Sequence, residues 1–316
     1  MSQTRRTFIA SSAMAGAGLA MTAKTASASS VTLNQTGKKA ELKLSSQEGP
    51  MPGKSLTEKL DFMESQGLAA VEPWGGKLWE RVDNYKKALQ GRNMKISAIC
   101  AGFQGAPASE NPNMRKQAME SMKRILEAAG ELKSTGLIYV PAFNSQSQAG
   151  IVAGRYLLID FLKEISEYAE QVKCRILLEP LNRKETWYVR QIADAAQICK
   201  EVDNPYCCLM GDFYHMGYEE ADDYAGFLAG RKWLHHVHLA SRPHRKQPGF
   251  DKNDSFRDGD DFRAGFRALK DIGFQDYCSF ECGCSGPAKG QDADQKNKLS
   301  EMPKSIAYLK QQWEEA

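Results

Sequence analysis

Histidine is scarce in this sequence, at five in 316 residues, and there is no Cys-x-x-Cys pair, no basic run and no long apolar segment. Each absence excludes something. Eight cysteines without a CxxC pair make neither a zinc ribbon nor a thioredoxin-type redox motif. Most of them lie in apolar, strand-like runs, so they read as buried free thiols rather than disulfides. The formal charge is +3, but residues 1–28 hold Arg5, Arg6 and Lys24 and no acid, which leaves 3 − 3 = 0 for the rest. A neutral chain without a basic stripe offers no electrostatic footprint for nucleic acid or an anionic membrane. The weakly apolar stretch from Ala10 to Met21 is too short and too rich in Ala and Gly to span a bilayer. Nothing like a GxGxxG turn follows the first strand-like run, which argues against an open dinucleotide-binding sheet.

The N-terminal stretch reads instead as an address. Thr4-Arg5-Arg6-Thr7-Phe8-Ile9 is a twin-arginine pattern, the apolar stretch follows it, and Ala26-Ser27-Ala28 is a small-residue cleavage site. Residues 1–28 are therefore expected to be a twin-arginine signal peptide and 29–41 a polar linker, with 42–316 forming the folded, periplasmic domain. No Cys follows the cleavage site, so no lipid anchor or other membrane contact is expected after export. The twin-arginine route carries folded proteins, which suits an enzyme that takes up a metal before leaving the cytoplasm.

From residue 42 onward, short apolar runs alternate with longer amphipathic ones. The strand-like runs are Leu42–Ser46, Ala69–Glu72, Ile96–Ala101, Leu137–Phe143, Arg175–Glu179, Cys207–Asp212, His235–Ala240 and Tyr277–Glu281. Helical patterns between them include Leu56–Gln66, Met114–Ala129, Tyr156–Val172, Gln191–Val202, Ala221–Ala229 and Phe262–Ile272, with Gly67, Gly91, Gly130, Asn204 and Gly273 as expected helix ends. Eight strands each followed by a helix predict one (β/α)8 TIM barrel. The connection from Ser241 to Asp260 is unusually long and polar, and loops of that length in a compact domain serve function or stay disordered.

Four successive strands end in a potential metal ligand: Glu179, Asp212, His238 and Glu281. In a barrel the C-terminal strand ends converge on one face, where active sites form. Three carboxylates and an imidazole meeting there would destabilise one another unless a cation compensated. The oxygen-rich set favours Mn²⁺ first, with Mg²⁺, Co²⁺ and Zn²⁺ as alternatives. Strand alternation puts His236 and His238 on one face and His235 on the other. His238 lies nearer the C-terminal end and is assigned as ligand, with His236 a core residue one layer below. By the same alternation Cys282 points away from the interior. Trp74, after the second strand-like run, is either a sugar-stacking residue or a core aromatic at the barrel mouth.

Glu179-Pro180-Leu181-Asn182-Arg183-Lys184-Glu185, Asp212-Phe213-Tyr214-His215-Met216, Val237-His238-Leu239-Ala240 and Phe280-Glu281-Cys282-Gly283 resemble the motifs of the xylose-isomerase-like barrel superfamily, most closely the ketose 3-epimerases and hydroxypyruvate isomerases. The resemblance implies one divalent cation on Glu179, Asp212, His238 and Glu281, with Glu179 and Glu281 as the acid–base pair. It also implies that Glu185 and His215 touch substrate hydroxyls. The family's substrate arginine precedes a Pro-Gly, which Arg245 fits best before Pro248-Gly249, with Arg242 and His244 as competitors.

The chemistry of such a site is consistent. A cation chelated by a carbonyl and its neighbouring hydroxyl stabilises an enediolate, and carboxylates on either side of the sugar plane can remove and return the proton. Return to the opposite face epimerises, return to the neighbouring carbon isomerises, and expulsion of a β-substituent makes a lyase or hydratase of 3-keto-glycosides. The expected partner is a small sugar or keto-sugar, and a homo-oligomer stays open. A nuclease of the endonuclease IV type would need several zinc ions and more histidines than five. A non-catalytic sugar-binding barrel would be suggested by a lost ligand, and all four are present.

Overall fold

Eight short parallel strands carry the fold: β1 (Leu44–Gln47), β2 (Ala70–Glu72), β3 (Lys95–Ile96), β4 (Gly136–Tyr139), β5 (Arg175–Leu178), β6 (Cys207–Asp212), β7 (Leu234–Leu239) and β8 (Tyr277–Phe280). The computed structural model describes residues 37–146, 149–242, 244–250, 261–284 and 291–316. The expected signal peptide and most of the expected linker lie outside the described residues. The strands are ordered β3-β2-β1-β8-β7-β6-β5-β4. The ring closes just beyond β3, where Ile99 N donates to Gly136 O (2.9 Å) and Ile138 N donates to Ile99 O (2.8 Å). This is the expected (β/α)8 barrel.

The helices are α1 (Leu56–Ser65), α2 (Val82–Leu89), α3 (Pro112–Glu131), α4 (Ile151–Gln171), α5 (Ile192–Val202), α6 (Phe213–Glu219), α7 (Asp223–Gly230), α8 (Arg263–Ile272) and α9 (Gln291–Glu315). Local chemistry starts several of them. Ser55 caps α1 by accepting from Glu58 N, and Asn111 caps α3 ahead of a proline in its first turn. Strand residues such as Val71, Leu137, Ile176, Leu209, Val237 and Phe280 alternate outward and pack under the helices. Ala98, Ile138, Leu177, Cys208 and Met210 form a separate cluster that fills the barrel interior. All eight cysteines are free. No described helix is long and apolar enough to cross a membrane.

Some boundaries differ from expectation for physical reasons. Regular pairing in β3 ends at Ile96, but Ile99 and Cys100 continue as isolated parallel bridges to Leu137 and Trp74 before Ala101 (φ 36°) and Gly102 (φ 88°) turn the chain. Gly130 lies inside α3, and the left-handed residue beyond that helix is Lys133 (φ 56°). Asp203 (φ 53°), not Asn204, ends α5. Helices α6 and α9 go beyond the expected stretches. Ala40, in the expected linker, is buried, and β1 begins at Leu44 rather than Leu42.

Candidate metal centre

Inward-facing strand residues stack two apart in successive layers. Leu177, Met210, His236 and Ser279 are fully buried in the barrel. Glu179, Asp212, His238 and Glu281 stand two residues further toward the C-terminal ends. Each of these four offers a ligand atom, and those atoms all lie within 4.8 Å of one another. Glu179, Asp212 and His238 are buried, and Glu281 is half-buried.

The Asp212 carboxylate is divided between two tasks. Its Oδ1 accepts from Tyr214 N (2.7 Å) as the N-cap of α6, which fixes the side chain. Its Oδ2 faces the centre, 3.5 Å from His215 Nε2 and 3.2 Å from Arg245 Nη2. His238 is divided in the same way. Its Nε2 lies 3.0 Å from Glu72 Oε1. Its Nδ1 lies 2.7 Å from Glu281 Oε2 and 3.7 Å from Glu179 Oε1, yet it is buried and off the line of a hydrogen bond to either.

These groups perturb one another. Burial pushes the Glu179 carboxyl up, against the pull of His238. Burial also opposes ionisation of Glu281, but His238 and Arg245 outweigh it and hold that carboxyl below the usual range. With His238 neutral, as ligation requires, three lining carboxylates and one guanidinium leave −3 + 1 = −2 in the pocket. A divalent cation would offset that excess of negative charge, and the unpartnered His238 Nδ1 would supply the nitrogen ligand. The donor set therefore fits the group.

The other expected residues surround this centre. Asn182 Nδ2 donates to Glu185 Oε1 (2.9 Å) and lies 2.8 Å from His215 Nδ1. Asn182 Oδ1 accepts from Lys184 N (2.9 Å), which fixes the amide orientation. Asn182 N also donates to His215 Nδ1 (3.3 Å), so that nitrogen is an acceptor and the proton sits on Nε2, facing Asp212 and Glu179. Arg245 donates to Glu281 and lies over the Tyr214 ring at 4.9 Å. Its carbonyl accepts from Gly283 N (2.9 Å), tying the loop start beside Glu281. Arg242 turns elsewhere, to Asp223 (3.0 Å) and the Asp261 carbonyl (2.9 Å). Half of the long loop, residues 251–260, lies outside the described residues. Trp74 is 55% exposed, so it is not a core aromatic. Its carbonyl accepts from Arg81 Nη2, and its indole packs against Gly76, where a Cβ would meet Nε1 at 2.5 Å.

Sequence reasoning missed Asn182 as a positioning group and Glu72 altogether. Glu72 is buried on β2, and its carboxylate touches His236 (2.8 Å), His238 and Gln47 Nε2 (3.0 Å). Its signal was present: it closes its strand with an acid, as Asp212 does on β6. A cavity of about 650 Å³ between α1 and α2, lined by Glu48, Arg81 and Tyr85, lies apart from this centre.

Among relatives, 3-dehydro-D-guloside 4-epimerase of Escherichia coli (strain K12) is 26% identical over 248 residues, covering 76% of this chain and 92% of its own length. Ketose 3-epimerase of Arthrobacter globiformis is 27% identical over 205 residues, covering 63% and 68%. The apo crystal structure of 3-keto-D-glucoside 4-epimerase from E. coli superposes with a TM-score of 0.72 at 25% identity, covering 86% of this chain and all (100%) of that one. Residues 60–312 match the family described as xylose isomerase-like TIM barrel, and over that span, well beyond half its length, the chain belongs to that family.

Proposed function

We propose that the protein is a divalent-metal-dependent epimerase or isomerase of keto-sugars in which Glu179 and Glu281 move the proton. The carrying observation is the convergence of Glu179, Asp212, His238 and Glu281, ligand atoms within 4.8 Å, at the active-site end of the barrel. A bound divalent cation would polarise the substrate carbonyl and offset the negative charge that develops when the adjacent C–H is broken. One of the two glutamates takes that proton as a carboxylate, and the other, as a carboxylic acid, returns one to the opposite face. His215 presents its Nε2 proton, and Glu185 its carboxylate, to substrate hydroxyls. Arg245 places positive charge next to Glu281. Mn²⁺ is the first choice for this oxygen-rich set, with Mg²⁺, Co²⁺ or Zn²⁺ as alternatives.

Two observations favour a keto-glycoside over a small free ketose. The relative matched over 92% of its length is a 3-dehydro-D-guloside 4-epimerase. Trp74 lies two residues beyond Glu72 on the same strand side, exposed, where a second ring could stack on its indole. A leaving group on such a substrate would also permit the lyase outcome. The N-terminal Arg5-Arg6 pattern supports export to the periplasm by the twin-arginine route.

The test combines metal analysis with deuterium wash-in over ketoses, hydroxypyruvate and 3-keto-glucosides. One equivalent of cation is expected, together with deuterium at the carbon beside the carbonyl in an epimerised product. Metal-loaded protein that exchanges no carbon-bound hydrogen in any of them overturns the reading, and a β-eliminated product replaces epimerase with lyase.

A further inference from the structure

The ligand set leaves out a fourth acidic residue at the heart of the barrel. Glu72 comes from β2, across the interior from β7, and it is fully enclosed. Its two oxygens meet three groups from two strands, β7 and β1: His236 Nε2 on Oε2 at 2.8 Å, His238 Nε2 on Oε1 at 3.0 Å, and Gln47 Nε2 on Oε1 at 3.0 Å. His238 Nε2 also lies 3.2 Å from Oε2, so the imidazole straddles the carboxylate.

We propose that Glu72 is the positioning residue of the metal centre: it fixes His238 as the Nε2–H tautomer and so directs the Nδ1 lone pair at the cation. This inference rests on the cation site assigned above. A carboxylate only accepts hydrogen bonds, so the His238 nitrogen facing it must carry the proton. The other nitrogen, Nδ1, is then the acceptor, and it is the buried ring atom that finds no hydrogen-bond partner while Glu281 and Glu179 oxygens surround it. A carboxylate behind a ligating imidazole holds the ring's orientation and raises its basicity, and loss of such a partner typically weakens metal binding about 10–100-fold. His236 has a different task. Its ring stands nearly perpendicular to His238 (83°, centroids 5.2 Å apart), and its bond to Oε2 steadies the far side of the Glu72 carboxylate.

The experiment uses the purified protein with histidine side chains labelled with ¹⁵N and loaded with ¹¹³Cd²⁺ as the probe. Wild type should show cadmium coupling to His238 Nδ1 and a proton on Nε2. Coupling to Nε2 would overturn the assignment without any mutant being made. In parallel, Mn²⁺ and Zn²⁺ affinities are measured by competition with a chromophoric chelator for wild type, Glu72→Gln and Asp212→Asn. Glu72→Gln keeps the shape but presents an amide that cannot accept from both imidazoles, and affinity should fall about 10–100-fold. If Asp212→Asn weakens binding while Glu72→Gln stays within about twofold of wild type, the positioning role fails and the cation site stands. If neither change alters affinity, the cation site itself is wrong and the inference falls with it. Should Glu72→Gln not fold, the coupling pattern of the wild type decides.

Discussion

Arg245 holds two of the three candidate ligand carboxylates, and replacing it separates binding from catalysis. Its Nη2 lies 3.2 Å from Asp212 Oδ2 and also bonds Glu281. A first-row cation on the same oxygen would sit about 2.2 Å from it, so the guanidinium nitrogen and the cation would be no more than about 3.2 + 2.2 = 5.4 Å apart. A +2 and a +1 charge at that separation repel by about 332 × 2/(80 × 5.4) ≈ 1.5 kcal/mol even with water-like screening. The Arg245 side chain is 30% exposed, so the water-like limit is the appropriate one. Arg245→Gln should therefore raise cation affinity about tenfold. The same change removes a positive charge from the site of developing negative charge, and kcat should fall about 10²–10³-fold. Backbone strain does not confuse the comparison, because Arg245 has φ 52° and glutamine inherits the same left-handed position. Affinity is read by chelator competition at low salt and again at 1 M, where a Debye length of about 3 Å should shrink the difference. An unchanged or weakened cation affinity at low salt refutes the reasoning, because Arg245 would then be holding the ligands rather than competing with the cation.

Glu281→Gln keeps one oxygen for the cation and removes the base. Turnover should fall about 10²–10⁴-fold, with cation retained and deuterium wash-in lost; turnover within about tenfold of wild type would mean that the proton moves by another route. For export, changing Arg5 and Arg6 together to lysine should leave the protein in the cytoplasm, and fractionation that still finds it in the periplasm would rule out the twin-arginine route.

Much of this centre was legible because barrel physics is local on each strand. A strand alternates its faces with period two, and the C-terminal ends of a closed parallel sheet share one face. Glu179, Asp212, His238 and Glu281 each declare themselves as the polar residue next to a run of apolar ones, and they needed only the fold to be brought together. The choice of His238 over His235 follows from the same alternation: His235 points out to Asp276 (2.7 Å), and His236 sits one layer below His238. Arg245 was legible only as one of three candidates. What separates it from Arg242 is the buried pairing of Arg242 with Asp223 on α7 and its packing over Gly217, where a Cβ would stand 2.2 Å from Arg242 Cδ.

The residues that sequence reasoning missed owe their roles to contacts between distant parts of the chain. Glu72 stands 166 residues from His238, and as the acid between Val71 and Pro73 it looks like any strand end. Nothing near it in the sequence says that two imidazoles will converge on it. Asn182 is within three residues of Glu185, yet its function is to pin His215, 33 residues away, through both its amide and its backbone N–H. In each case an ionisable or tautomeric side chain that touches the reacting centre is oriented by a partner that does not. The partners answer to hydrogen-bond geometry alone, which no strand period or helix pattern encodes. The same logic bears on Trp74. Its indole rests on Gly76, while Gly75 and Gly102 cross so closely that a Cβ on Gly102 would fall 2.1 Å from Gly76 N. Such a crossing constrains the backbone more than packing of the exposed ring requires. An aromatic face presented on a rigid support at a barrel mouth loses little conformational entropy on binding, which is the physical condition for a ring-stacking contact.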